Sequence, residues 1–241
     1  MNTKTGSARA YVGAAGLAAL AVLFGSLGSW QAGRAAASRE AQARFASGAE
    51  ATVLAPPAAL DEAQRFRRVE VRGEYVGEPQ FLLDNMLHGG VAGYHVLTAL
   101  RVEGLRERLL VNRGWVAAGD RRVLPDVTAP GGARAISGRL ERLPRPGLRL
   151  AAAESSTGGA PLVVLQFPTA EQLSERLGAP VAAYQVLLDP AAEGGYVREW
   201  RAPGIAPERH LAYAGQWWLL AVGAAGAAIV IAAKTTMRRE P

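Results

Sequence analysis

From residue 10 to residue 33 the chain carries no charged side chain, and from 210 to 233 it again carries none, counting His210 as neutral. A helix rises 1.5 Å per residue and bilayer hydrocarbon is roughly 30 Å thick, so about 20 such residues span it. Both stretches are therefore predicted transmembrane helices, 10–33 and 210–233. They bracket a domain at 34–209 and leave short tails at 1–9 and 234–241. The first stretch also admits a cleaved signal sequence, because Ala35, Ala36, Ala37 and Ser38 follow it. Its apolar part exceeds the roughly 7–15 residues of a signal core, which favours an anchor.

Between the two stretches the pattern changes from continuous apolarity to alternation. "RRVEVRGEYV" places Val69, Val71 and Tyr75 on every second position, the mark of a half-buried strand. "PQFLLDNML", "GYHVLTALRV", "RERLLVNRGWV" and "ARAISGRLERL" read as further strands, and "AAYQVLLDP" as another. Turns at Gly77, Gly89–Gly90, Gly104 and Gly131–Gly132 separate the first five. "PTAEQLSERLG" has a threonine cap, an acidic first turn, the pair Leu173 and Leu177 and a closing glycine, predicting a short helix near 169–177. The expected fold is an α+β domain of mainly antiparallel strands, forming a small barrel or a strongly bent sheet, between two membrane helices. Residues 35–49 suggest a helical stalk and 144–160 a loop. Neither internal repeats nor heptads stand out in the hydrophobic pattern.

Charge gives this plan a direction. The tails hold Lys4, Arg9, Lys234, Arg238 and Arg239 against Glu240, a net +4 of the chain's +6. Basic tails remain cytoplasmic, which puts both termini inside and the central domain outside the cytoplasm. Arg34, Arg39 and Arg44 run against that rule, although a long domain is translocated despite such charges. Only nine residues precede the first apolar stretch, too few for an Arg- and Ser-rich organelle presequence, so a bacterial plasma membrane is expected. The domain itself interleaves 22 arginines with 20 acids, which reads as solvated surface and argues against nucleic acid. There are no cysteines, which excludes disulfides, thiolate catalysis and cysteine metal sites.

Candidate chemistry is sparse. The only histidines are His88, His95 and His210. "HGGVAGYH" lacks the lysine and hydroxyl of a phosphate loop and reads as a hairpin turn; His88 and His95 flank it, either as packed side chains or as two ligands lacking a third. "LVNRGWV" sets Asn112, Arg113, Gly114 and Trp115 at a strand end, either as a bulge with Trp115 filling the barrel or as a partner-binding motif. "ERHLAYAGQWWLLA" places His210, Tyr213 and Trp217 at i, i+3 and i+7, on one helical face, with Trp218 turned to another. Interfacial aromatic residues explain the tyrosine and tryptophans. An imidazole losing water needs a partner. "LGSWQAGR" at the end of the first helix offers Trp30, Gln31 and Arg34 at the same membrane level. Haem fits the combined set: imidazole for iron, aromatic walls, and Arg34 and Arg209 for propionates. Plain interfacial packing is the alternative, and no acid–base pair or redox centre suggests an enzyme.

Five segments in this order resemble the SURF1 family of cytochrome c oxidase assembly factors, in its proteobacterial form: "LGSWQAGR", "FRRVEVRGEY", "GYHVLTAL", "LVNRGWV" and "VREWRAPGIAPERHLAYAGQWWLLA". The resemblance implies a two-helix membrane protein that is not an enzyme. It implies transient binding of haem a, delivered to subunit I of the terminal oxidase, with haem a synthase as a second partner and no structural metal. The family's candidate haem ligand falls on His210, with Tyr213, Gln216 and Trp217 around it and Trp30, Gln31 and Arg34 on the first helix. Its soluble motif falls on Asn112 to Trp115. A scaffold that steadies nascent subunit I without haem is the alternative implied. Two positions depart from the family pattern: Ala99 stands where many relatives have proline, and Glu208 and Arg209 where many have asparagines.

Overall fold

The computed structural model describes residues 3–48, 50, 55–57, 59, 61–120, 122–145 and 161–237, with side chains in the first helix from residue 8 onward. The outermost tail residues and most of the loop expected at 144–160 lie outside the described residues. The chain divides into two compact units, Met1–Ala43 with Ala202–Pro241, and Arg44–Arg201.

The first unit is a pair of helices, α1 (Thr3–Ser47) and α3 (Pro207–Met237), each long and apolar enough to cross a membrane. Both run beyond the charge-free stretches. The Ala-rich sequence after Arg34 is a strong helix former and carries α1 onward. Pro207 opens α3 at the first helical position, where its missing N–H costs nothing. The helices pack antiparallel. Buried positions recur every seventh residue: Ala14, Gly28 and Ala35 on α1, and Pro207, Ala214, Ala228 and Thr235 on α3. Ala21 and Ala221 are half-buried in the same rows. The heptad that hydrophobicity does not reveal is thus present in side-chain size. Within the charge-free stretches most positions are apolar, so the small residues that let two backbones approach mark the seam.

The second unit is a seven-stranded sheet with strands β1 (Arg68–Tyr75), β2 (Gln80–His88), β3 (Val91–Val102), β4 (Arg108–Ala117), β5 (Ala133–Arg142), β6 (Leu162–Leu165) and β7 (Val181–Leu188). Their order is β1-β5-β7-β4-β3-β2-β6, and β1 pairs β3 as well, so five strands close on themselves and β2–β6 extends from the rim. The closure uses the far end of the twelve-residue β3, where Gly73, Glu74 and Tyr75 pair with Val102, Arg101 and Leu100. Pairing is mainly antiparallel, with two parallel pairs, β2–β6 and β4–β7. The mainly antiparallel barrel of the sequence reading is therefore present.

Alternation fills the barrel. Val69, Val71 and Tyr75 of β1, Leu109 and Val111 of β4, Ile136 and Leu140 of β5, and Tyr184, Val186 and Leu188 of β7 form one buried cluster. A second cluster lies under the short helix α2 (Ala170–Leu177), where Leu173 packs on Phe81, Leu97 and Leu110. The helix has the capping expected of its sequence. Thr169 Oγ1 accepts from the Gln172 amide, Gln172 reaches back to the Thr169 amide, and Gly178 closes the end in a left-handed conformation. β6 is the one strand the sequence reading does not provide.

Candidate functional site

At the start of α3, His210 is buried, 8% exposed, and its Nδ1 lies 2.8 Å from Gln31 Oε1 on α1. An amide oxygen only accepts, so Nδ1 is the donor of this pair and Nε2 is not engaged by it. That is the arrangement in which an imidazole is oriented by one nitrogen while the other is free to bind a metal. Seven residues on, Trp217 stacks on Phe24 with ring centroids 5.6 Å apart. Each step of seven from Gln31 back to Phe24 is matched by a step of seven forward from His210 to Trp217. The heptad seam therefore stacks two pairs, His210 with Gln31 and Trp217 with Phe24, two turns apart on one face.

Of the other residues expected near His210, Tyr213 is 51% exposed and Trp30 58% exposed. Gln216, Arg34 and Arg209 are also exposed. Tyr213 does not share the buried face with His210 and Trp217, because three residues fall about 60° short of a full turn. Trp218, expected to turn away, rests on α1: a Cβ at Gly28 would lie 2.4 Å from its indole. Sequence reasoning missed Phe24 and the Gly28–Trp218 contact. Their signal was the seven-residue spacing to Gln31 and the lone glycine among alanines.

In the barrel, Asn112 and Arg113 are 1% and 3% exposed, and both are engaged within their own chain. Asn112 Nδ2 donates to Gln185 Oε1 at 3.0 Å and lies 3.3 Å from His95 Nδ1, while its Oδ1 accepts from the Gly114 amide. Arg113 Nε donates to the Gly194 carbonyl at 2.8 Å, and Nη1 reaches Thr98 Oγ1 at 3.4 Å. So these two residues build the domain and present no docking surface of their own; Trp115 is half-buried, donating to the Met86 carbonyl at 2.9 Å. The motif forms a bulge, with two residues of β4 opposite Val96 of β3. Gly114, at φ 111°, lets Trp115 bridge to Val197.

His88 and His95 do not meet. His88 packs on Trp115, whereas His95 sits edge-on to Trp200. Burial pulls the His95 imidazole down to about 4, so it is neutral at ordinary pH. Among the described residues no three metal-binding side chains cluster.

The chain can also be compared with known proteins. A model of the SURF1 family matches residues 18–222, a span that takes in Phe24, Gln31, the whole barrel, His210 and Trp217. No curated protein matches it.

Proposed function

The chain belongs to the SURF1 family, whose role lies in the assembly of cytochrome c oxidase, and from that premise we propose that it carries haem a to subunit I. The observation that supports this reading best is the His210–Gln31 pair. Gln31 holds one imidazole nitrogen and fixes the ring, leaving the other as the nitrogen that would meet iron. Haem a is the cargo, and iron coordination is the chemistry it brings to the site. Trp217 and Phe24 give an aromatic floor, and Tyr213, Gln216 and Trp30 are exposed on the same ends of the two helices. Arg34 and Arg209, also exposed, suit propionates. A carrier must release its load, and a single imidazole would hold haem a loosely enough for that.

In this reading the two helices anchor the protein in a bacterial plasma membrane with both termini cytoplasmic. The barrel is extracytoplasmic, and haem a synthase is the donor partner. The role is that of a carrier and not of a catalyst. Co-production with haem a synthesis, purification and an optical spectrum test it. Wild type should hold haem a and His210→Ala should lose it; equal haem in both would remove His210 from the site.

One observation favours a second reading, a haem-free scaffold for subunit I. His210 is buried and already satisfied by its own chain, which helix pairing alone would explain. That reading expects no haem a on the wild type and cross-linking to subunit I in cells unable to make haem a.

A further inference from the structure

Three strands direct polar side chains into the same end of the barrel. On β1 the inward row Val69, Val71, Gly73 ends at Tyr75; on β4 Leu109 and Val111 lead to Arg113; on β5 Ile136 is preceded by Arg134. β1 and β5 bring their ends together there, with Arg134 opposite Gly73. The segment after β7 covers this end. Arg113 donates to the Gly194 carbonyl, Arg134 Nη1 lies 3.6 Å from where a Gly194 Cβ would stand, and the Arg198 guanidinium lies against Gly195. Arg113 also lies over the rings of Tyr196 and Tyr75, at 5.0 and 5.7 Å.

Three guanidinium charges thus converge on one mouth. Among the described residues no ion pair joins Arg113, Arg134 or Arg198 to a carboxylate; their hydrogen bonds go to carbonyls, a threonine hydroxyl and, for Arg113, the Tyr196 side chain. Burial of an uncompensated cation is unfavourable, and it lowers the Arg113 pKa. Two donors also lack an acceptor. The Tyr75 hydroxyl, on a residue 6% exposed, and the Arg134 Nε–H are both buried without a hydrogen-bond partner. Burial pushes Tyr75 up to about 12, against the pull of the same three arginines, so its hydroxyl is a neutral donor. Convergent cations and two unpaired donors share one complement: a negatively charged acceptor with several oxygens.

We propose that this mouth is an oxyanion site for the carboxylate or phosphate group of a small ligand. Arg134 and Tyr75 donate to the oxygens, and Arg113 and Arg198 supply the positive field. The site is independent of the haem reading. The test is calorimetry on the full chain in uncharged detergent at low ionic strength, with inorganic phosphate in one arm and succinate in the other. One equivalent of oxyanion should bind saturably, and the tighter arm identifies the natural group. Tyr75→Phe and Arg134→Gln should each weaken that binding about tenfold, the effect of one lost hydrogen bond to a charged group. In the absence of oxyanion, Tyr75→Phe should unfold at no lower temperature than wild type, because the hydroxyl it removes has no partner. Saturable binding in neither arm, or binding unchanged by both substitutions, would overturn the proposal.

Discussion

His95 shows how a single side chain couples burial to pH. It is surrounded by Asn112 and Trp200, and its pKa falls to about 4 from an unfolded value of about 6.5. Above pH 6.5 both states are neutral there and no stability is lost. As pH falls from 6.5 towards 4, the unfolded chain takes up a proton that the folded chain refuses. Stability should drop by about 2 kcal/mol between pH 7 and pH 5 on this account alone. Urea unfolding at the two pH values checks it: the drop should be visibly smaller in His95→Gln, and an equal drop in both would rule His95 out. That His210 and Gln31 share one level of the helix pair, with Trp217 a heptad further on, was legible from the sequence, since rare polar and aromatic groups at a membrane lip are conspicuous. The fate of Asn112 and Arg113 was not. A polar motif at a strand end reads the same whether it faces a partner or, as here, a network of Gln185, Gly194 and Thr98.

At the scale of elements, local rules served α2 and six of the strands, because caps, glycines and alternation are short-range signals. They failed for β6, a four-residue apolar run whose parallel pairing to β2 depends on contacts remote in sequence. They also failed for the helix seam, where uniform apolarity hides a period carried by residue size. The β4 bulge is the element with the sharpest steric demand. A Cβ on Gly114 would sit 2.6 Å from the Val197 carbonyl oxygen, and its φ of 111° is strained for any other residue. Gly114→Ala should destabilise the barrel by on the order of 2 kcal/mol. A thermal unfolding midpoint equal to wild type would show that the Trp115–Val197 bridge yields without cost.

The whole molecule joins two units with different solvents. One is a helix pair with small residues at its seam and exposed apolar flanks such as Val22, Leu219 and Ile229, suited to lipid. The other is a five-stranded closure with its own apolar core, suited to water. Their existence was legible from the charge pattern; the β1–β3 closure was not, because pairing across 27 residues leaves no local trace. Family membership gives the molecule its place in oxidase assembly, and the seam gives the reading of that role its chemistry. The central claim is that the His210 imidazole ligates haem a iron, and chemical rescue tests it most directly. Purified His210→Gly protein should bind no haem a, and added free imidazole should restore the wild-type absorption spectrum. Haem a retained by His210→Gly without imidazole, with an unchanged spectrum, would contradict the account.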